Sequence, residues 1–480
     1  MVAYMKTLFT FCLVFSLIAC VYSADVHTYK LQNPPLRQGL AGNGITDIQQ
    51  SENRLWFGTG KGLSRLLVSD GVFETFTFEH GIGRGSISAL WISGDTIWVA
   101  TAIDTFTETT GSYNDMGTGL SRSCDGGTSW QHFDQPGVTP IQNLTYDIVV
   151  FHGIIWIASF GGGIKKSPDQ GVTWMDAPPD SFIFDPLGNL NHRGFSLAAT
   201  EEAIWVGTAG GINKSLDDGE TWTNFNHTNQ QDPISGNFVV ALANQESSNK
   251  DIIWAATWKA EGEDEYYAVS KSEDEGLSWQ TFLNGQKAHN FAFDDSVVYV
   301  ATDSGLFKSI DYGENWYVFP PMYDEVSGER IYTNEVYSVT ARDGVVWVGT
   351  ADGLAKTENN GYTWQVYRSF PQTGKAGTPR TYAYPNPFSP FRHNQFENEG
   401  HVRFQFNLLK GTTITVRVYD FAMDLVKTIT EDEYYPQAGD YNVAWDGRND
   451  YGDMVANGVY FYSVEIESDG TYWGKVMVIN

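Results

Sequence analysis

A short apolar segment that begins with Trp or Tyr and ends in a small residue followed by Thr or Ser recurs seven times along the chain. The copies lie at 56–59, 98–101, 156–159, 205–208, 254–257, 299–302 and 347–350. Six of them precede a second element of the form Ser-x-Asp-x-Gly-x-Thr-Trp, with minor variation, at 123–130, 167–174, 215–222, 272–279, 309–316 and 357–364. A chain that repeats one unit in this way folds by placing copies of one supersecondary structure side by side.

The spacing of the units predicts a closed ring of small sheets. Units of about 40–50 residues with four short strands are typical of propeller blades. Aromatic residues make up 15% of the chain, and its 49 glycines suit tight turns. In the last unit, strands A to D, from the centre outward, are predicted at 336–341, 345–350, 354–357 and 363–368. The predicted fold class is all-β: a seven-bladed β-propeller followed by a small immunoglobulin-like β-sandwich.

Shifts in composition predict the domain boundaries. A signal peptide is expected at 1–24, the propeller at 25–370, a linker rich in Pro, Gly and Thr at 371–383, and the sandwich at 384–480. Two processing interpretations remain open at the N-terminus: cleavage before Ala24, or a bacterial lipobox that would lipidate Cys20. Cys124 is the only cysteine beyond this region, so a disulfide framework and a cysteine-based metal site are excluded.

The charge of the chain limits its partners. The formal net charge of −28 repels phosphate backbones, so no nucleic-acid partner is expected. The apolar run at 8–19 is shorter than the ~20 residues of a membrane span, and no transmembrane segment is expected in the mature chain. No nucleophile elbow, phosphate loop or metal-ligand cluster is present, and no cofactor or metal is predicted.

The Ser-x-Asp-x-Gly-x-Thr-Trp element resembles the Asp-box, or bacterial neuraminidase repeat, found in sialidases, sortilin-like receptors, xyloglucanases and a photosystem assembly factor. The first unit, 56–66, instead resembles blades of two-component regulator propellers. In the Asp-box, the Asp accepts hydrogen bonds from backbone N–H groups of the C–D turn, and the Trp packs between blades. We therefore expect a structural role for the residues at this position, which are Asp125, Asp169, Asp217, Asp274, Asp311 and Asn359.

Long insertions are predicted at one end of the ring. They fall between strands B and C at 102–117 and 258–268, and between blades at 176–194, 224–236 and 320–334. These two kinds of connection emerge on the same face, where loops commonly carry binding. Aromatic and charged side chains in them are the candidate ligand-binding residues: Tyr113, Asp115, Phe184, His192, Arg193, Trp258, Tyr266, Tyr267, Tyr323, Asp324 and Arg330.

The C-terminal hundred residues resemble the sorting domains of type IX-secreted proteins and the immunoglobulin-like module of flagellar hook-capping proteins. The matching segments are 384–388, 445–447, 457–460 and 474–480. The resemblance implies export across the outer membrane of a Gram-negative bacterium, with the secretion machinery as a partner. The expected location is extracellular or on the outer cell surface, with the domain either cleaved off or retained.

The predicted function is binding of a glycan or an extracellular protein through the loop-bearing face, without catalysis. Two alternatives remain. A glycoside hydrolase of the xyloglucanase type would need two carboxyl groups facing each other across a cleft, and no catalytic residue is assigned. A structural role in a surface assembly is the other. Sialidase activity is not expected, because arginines that could grip a carboxylate are sparse on this face.

Overall fold

The computed structural model describes residues 22–23, 26–29, 37–51, 53–69, 71–108, 111–137, 139–247, 250–260, 262–374 and 377–480. The predicted signal peptide, apart from residues 22–23, and Cys20 lie outside these residues. Seven antiparallel sheets form the propeller and two smaller sheets form the C-terminal domain, which confirms the predicted all-β fold class. The described helices are two short 3₁₀ segments, Phe78–His80 and Leu190–His192.

Each blade consists of four consecutive strands, A to D. Blade 1 comprises Ile45–Ser51, Arg54–Thr59, Gly62–Leu67 and Val72–Phe76. Blade 2 comprises Ser86–Ser93, Thr96–Thr107, Ser112–Ser123 and Trp130–Phe133. Blade 3 comprises Thr145–Phe151, Ile154–Ser159, Gly163–Ser167 and Thr173–Asp176. Blade 4 comprises Gly194–Ala199, Ile204–Thr208, Gly211–Ser215 and Thr223–Phe225. Blade 5 comprises Phe238–Ser247, Lys250–Trp258, Ala268–Ser272 and Gln280–Phe282. Blade 6 comprises Ala288–Asp294, Val297–Thr302, Gly305–Ser309 and Tyr317–Val318. Blade 7 comprises Val336–Arg342, Val345–Thr350, Gly353–Thr357 and Gln365–Tyr367.

The ring closes between blades 7 and 1 without a strand shared between them. The inner strand of every blade contacts that of the next, and Val336–Arg342 contacts Ile45–Ser51 in the same way. Phe57 and Trp347 belong to one buried cluster across this junction. Asn43 adds two hydrogen bonds to the backbone of Ser369, at 2.9 and 2.5 Å. Three N-terminal strands, Tyr22–Ser23, Val26–Tyr29 and Arg37–Gln38, pair with the outer strands of blades 3, 2 and 1.

Aromatic side chains of strand B and of the C–D turns pack the blades against one another. Trp156 of blade 3 meets Trp222 of blade 4 edge to face, with ring centroids 6.1 Å apart. The turn glycine is part of this contact: Gly171 adopts φ 88°, and a Cβ there would lie 2.7 Å from the Trp98 ring of the preceding blade. The repeated Trp and Gly are thus both needed for close approach of neighbouring blades.

Hydrogen bonds define the C–D turns. In blade 3, Ser167 Oγ donates to Asp169 Oδ1 at 2.9 Å and accepts from Gly171 N–H at 2.9 Å. Thr173 donates its N–H and hydroxyl to the two oxygens of Asp169. The equivalent hydroxyl and N–H of Thr221 lower the pKa of Asp217 to about 2. These groups satisfy backbone donors that would otherwise be unpaired in the turn.

Ser167→Ala should lower the free energy of unfolding by about 1–3 kcal/mol, because the buried Gly171 N–H loses its acceptor. Ser93→Ala, at an exposed strand end, is the matched control and should have almost no effect. Denaturant unfolding of both variants measures the difference. Equal stability of the two would show that the serine hydroxyl does not support the turn.

Two carboxyl groups lie on inner strands, Asp47 on that of blade 1 and Asp147 on that of blade 3. The charge of Asp47 contributes to raising the pKa of Asp147. Burial is the main cause that raises both pKa values to about 7. Asp147 Oδ2 also accepts the N–H of Leu197 in the adjacent blade at 2.7 Å.

These carboxyl groups should make the propeller less stable as pH rises. Each folded-state pKa near 7 lies above the ordinary value of 3.8 for an aspartate. The stability contributed by the neutral carboxyl groups is therefore complete below pH ~4 and is lost as pH increases through ~7. Between pH 5 and pH 8 the native chain should lose roughly 2–3 kcal/mol per carboxyl relative to the variant with Asp47→Asn and Asp147→Asn. Thermal unfolding at both pH values tests this, with Asp95→Asn as the exposed control; a constant gap between variant and native chain would contradict it.

The C-terminal domain is a sandwich of a three-stranded and a four-stranded sheet. Its strands are Thr381–Tyr384, Val402–Leu408 and Gly439–Trp445 in one sheet, and Leu425–Tyr435, Thr412–Tyr419, Gly458–Ile466 and Gly470–Val478 in the other. Phe404 stacks on Tyr462 in the core between them, with centroids 4.0 Å apart. Residues 381–383, predicted as linker, form part of the first sheet because they pair with Val402–Leu408.

A buried ion pair fixes this domain to blade 7. Asp352, in the B–C turn of blade 7, is 1% exposed and Arg403 of the sandwich is 2% exposed. Arg403 makes a bidentate contact with Asp352, and Arg368 donates to Asp352 Oδ1 at 3.0 Å. Burial disfavours the charged carboxylate, but the two guanidinium groups hold the pKa of Asp352 below its usual range.

Asp352→Ala should destabilise the chain by about 3–5 kcal/mol, since it leaves two arginines without their buried partner. Asp95→Ala removes the partner of Arg54 in an exposed pair and should cost less than about 1 kcal/mol. Unfolding curves and limited proteolysis near residue 375 report on both. Similar behaviour of the two variants would mean that the buried pair does not hold the domains together.

Candidate functional site

The long connections of the propeller lie at one end of the ring. Because strands A to D alternate in direction, the B–C and D–A connections share one face, here named the long-loop face, and the A–B and C–D turns share the other, the turn face. Residues 134–144, 177–193, 226–237 and 319–335 connect blades, and 259–267 connects strands B and C of blade 5. The described A–B and C–D connections are short turns.

The blade 2 insertion predicted as a loop is a β-hairpin. Strands Thr96–Thr107 and Ser112–Ser123 continue past the blade and stay paired. Tyr113 is 75% exposed and packs edge to face on Phe106, with centroids 5.5 Å apart. Asp115 lies directly opposite Asp104, and burial together with that neighbouring carboxyl raises the pKa of Asp115. The hairpin therefore presents two rings and an acidic pair above the face.

The connection between blades 3 and 4 holds three predicted ligand residues that support the loop itself. His192 is fully buried, with Nε2 2.7 Å from Asp180 Oδ1 and Phe184 stacked on its ring. Arg193 donates to two loop carbonyls and lies 4.7 Å from the Phe160 centroid. The prediction of His192 as a ligand contact is wrong, because it has no exposed surface. The exposed apolar side chains of this loop are Phe182, Ile183 and Leu187, at 71%, 93% and 54%.

The blade 5 connection brings its three predicted aromatic residues together. Tyr267 packs edge to face on Trp258, with centroids 6.0 Å apart, and Trp258 Nε1 donates to the Ala288 carbonyl at 2.9 Å. Tyr266 stays partly exposed and its hydroxyl lies 3.2 Å from Thr281 Oγ1. Trp258 and Tyr267 thus form a half-buried pair, with Tyr266 on the surface beside them.

The connection between blades 6 and 7 contacts the C-terminal domain. Arg330 lies 4.5 Å from the Phe396 centroid, and its carbonyl accepts from Arg403 at 2.7 Å. Asp324 is buried and accepts backbone N–H groups within the loop. Asp324 therefore supports the loop backbone, whereas the Arg330 guanidinium lies against a ring of the sandwich and its Nε has no hydrogen-bond partner. Tyr323 is 46% exposed and pairs with Arg330 through the backbone.

An arc of aromatic rings surrounds much of the channel mouth on the long-loop face. Four of its members occupy β-bulges near the start of the innermost strand: Tyr146, Phe195, His289 and Tyr337. A bulge re-aims a side chain, and each of these four rings contacts an aromatic neighbour. With Phe238 and Trp258 these residues form the aromatic arc, in the order Tyr146, Phe195, Phe238, Trp258, His289, Tyr337.

Consecutive rings of the aromatic arc touch one another. The centroid distances along it are 5.3, 4.3, 6.3, 5.5 and 5.7 Å. Of these residues only Trp258 was predicted from sequence. An aromatic residue second in an inner strand is the signal that could have identified Tyr146, Phe195, His289 and Tyr337.

Carboxyl groups border the aromatic arc. His289 Nε2 lies 2.5 Å from Asp303 Oδ1, and Tyr337 donates its hydroxyl to Glu335 Oε2 at 2.8 Å. Burial, with a smaller contribution from the charge of Asp115, raises the pKa of Tyr146. The arrangement offers stacking surfaces beside hydrogen-bond acceptors, which suits a partner with donors and apolar surface.

Within the described residues, no group of three or more His, Cys, Asp or Glu side chains is placed to hold a metal ion. In the same ranges no helix combines the length and apolar character of a membrane span.

The C-terminal sandwich matches a known family. Residues 392–470 fit the FlgD Ig-like domain family. No curated protein sequence matches the chain.

Solved propeller structures are similar to most of the chain. A GH74 enzyme of Niastella koreensis is 12% identical with a TM-score of 0.51, over 92% of this chain and 74% of that one. An ancestral GH74 enzyme is 15% identical with the same TM-score, over 92% and 63%. PorZ, an essential bacterial surface component of the type-IX secretion system of Porphyromonas gingivalis, is 16% identical with a TM-score of 0.38, over 93% and 70%. At these identities the GH74 similarity concerns the fold.

Proposed function

We propose that this chain is an exported, surface-associated propeller. It binds an extracellular partner on the part of its long-loop face that lies over blades 2 to 5. The aromatic arc is the observation that carries the proposal. Interfaces are typically centred on aromatic side chains surrounded by polar groups. The arc has that composition, and among its members Tyr146 is 37% exposed whereas Phe195 is buried.

The exposed residues around the arc favour a protein as the partner. Phe182, Ile183 and Leu187 project from the connection between blades 3 and 4, and Tyr113 projects from the blade 2 hairpin. Aliphatic side chains gain little from sugar hydroxyl groups but bury well against another protein. A glycan is the second candidate, because the half-exposed rings of Tyr146 and Trp258 could stack on sugar rings.

Tyr146→Ala and Phe182→Ala should each weaken partner binding about tenfold or more, as expected for central aromatic contacts. Tyr362→Ala is the matched control, since Tyr362 is 84% exposed on the turn face. The partner is first captured from the host's extracellular and outer-membrane fractions, and its affinity is then measured with the purified protein. Equal effects of all three substitutions would exclude the long-loop face as the binding surface.

The same proteins are incubated with a panel of plant and bacterial polysaccharides. Retention of a polysaccharide by the native protein and by Phe182→Ala, but not by Tyr146→Ala, would identify a glycan partner. Release of reducing ends would instead support the glycoside hydrolase alternative. Asp104 and Asp115 sit on an exposed hairpin rather than across a cleft. Asp303 and Glu335, which border the arc, are already bonded to His289 and Tyr337. Neither arrangement favours hydrolysis.

The proposed export function of the C-terminal domain has a separate test. A chain ending at residue 370 should accumulate in the periplasm, whereas the full chain reaches the cell surface or medium. Protease resistance of the retained propeller shows whether it is folded. Normal release of the shortened, folded chain would show that residues 371–480 do not direct export.

A further inference from the structure

A cavity lies at the seam where the propeller ring closes and the C-terminal domain docks. Its volume is about 770 Å³, within the range of small-ligand sites. The propeller contributes the segment before the first inner strand, the B–C turn of blade 1 and the residues after blade 7. The sandwich contributes two adjacent strands. The cavity is therefore complete only when both domains are in place.

Two deeply buried side chains lining this cavity have polar atoms without a partner. Gln405 is 3% exposed and its Nε2 has no hydrogen bond. Arg403 is 2% exposed; its two terminal nitrogens bond Asp352 and the Arg330 carbonyl, but its Nε has no acceptor. Unsatisfied buried donors are costly, so a cavity lined by them is suited to an acceptor group.

The charge of the lining is opposite to that of the chain. Lys61, Arg368 and Arg403 line the cavity, and no acidic residue is among the described residues that do so. Lys61 is exposed, and no ion pair within the described ranges engages it. Behind the lining, Arg368 forms ion pairs with Glu329 and Asp352, and Arg403 forms one with Asp352. The three cationic side chains and the two carboxylates together carry a net charge of +1. This charge matches a singly charged anion better than a doubly charged phosphate.

The rest of the lining is aromatic and apolar. Tyr382 and Tyr384 come from the first strand of the sandwich, and Leu40, Phe370 and Pro371 come from the propeller side. A ring or apolar body can pack between them while an acidic group faces the lysine and arginine side chains.

We propose that this interdomain cavity binds a small ligand with a single carboxylate on a ring or apolar body. The carboxylate accepts hydrogen bonds from Lys61 Nζ, Arg403 Nε and Gln405 Nε2. The chemistry fits the free carboxyl group of a short peptide or of an acidic sugar. Because the ligand touches both domains, its binding also stabilises their docking. The site is separate from the aromatic arc, so the two proposals fail independently.

Calorimetric titration of the full chain distinguishes the possible ligands. The probes are N-acetylphenylalanine and its amide, galacturonate and its methyl ester, and inorganic phosphate. We expect binding of one or both free acids, weaker binding of phosphate, and no binding of the amide or the ester. The acid that binds more tightly identifies the peptide or the sugar source.

Lys61→Gln should weaken binding of the free acid at least about tenfold, the usual effect of losing one charge-assisted hydrogen bond. Lys61 is exposed, so the variant should fold normally. Lys410→Gln, at an exposed lysine that is not part of the lining, should bind as the native chain does. Gln405→Leu should also weaken binding, and its unfolding temperature shows whether the sandwich remains intact.

Three results would overturn the proposal. They are equal binding of the acids and their neutral derivatives, unchanged affinity in Lys61→Gln, and absence of any binding at about 10 mM probe, where even a millimolar site would be occupied.

Discussion

Contact between neighbouring blades is the constraint on which the propeller depends. Each sheet is too small to bury its own apolar faces, so every strand B tryptophan or tyrosine is covered by side chains of an adjacent blade. The same requirement applies at the junction of blades 7 and 1, where no shared strand assists. There, the Phe57–Trp347 contact, at 5.9 Å between centroids, and the bonds between Asn43 and Ser369 join the two ends of the ring.

The docked C-terminal domain divides the long-loop face into two sectors. Its contacts use the connection between blades 6 and 7 and the B–C turn of blade 7, including the stack of His401 on Tyr332 at 4.3 Å. The sector over blades 2 to 5 keeps its exposed rings. An insertion on the long-loop face thus either holds the C-terminal domain or leaves its side chains exposed, and tertiary contacts decide which.

The fold could be predicted from sequence because its signals are local and repeated. The recurring Trp segments place strand B, the turn motif places strands C and D, and the phase set in blade 7 lies within two residues of the observed strands. The site could be predicted only in part. His192 and Arg330 have the composition of ligand contacts, but their neighbours Asp180 and Phe396 are identified only by tertiary structure. Four rings of the aromatic arc lie at bulges. The sequence shows only an aromatic residue near the start of an inner strand there, and the bulge that re-aims it is visible only in the structure.

The buried ion pair has a consequence for processing of the chain. Asp352 and Arg403 belong to different domains and are joined through space, not only through the segment between them. A protease that cuts around residue 375 would therefore produce two fragments that remain associated. Cleavage of the chain and release of the C-terminal fragment therefore become separate events. Release requires solvent to reach the Asp352 carboxylate and the Arg403 guanidinium, which are almost inaccessible while the domains are docked.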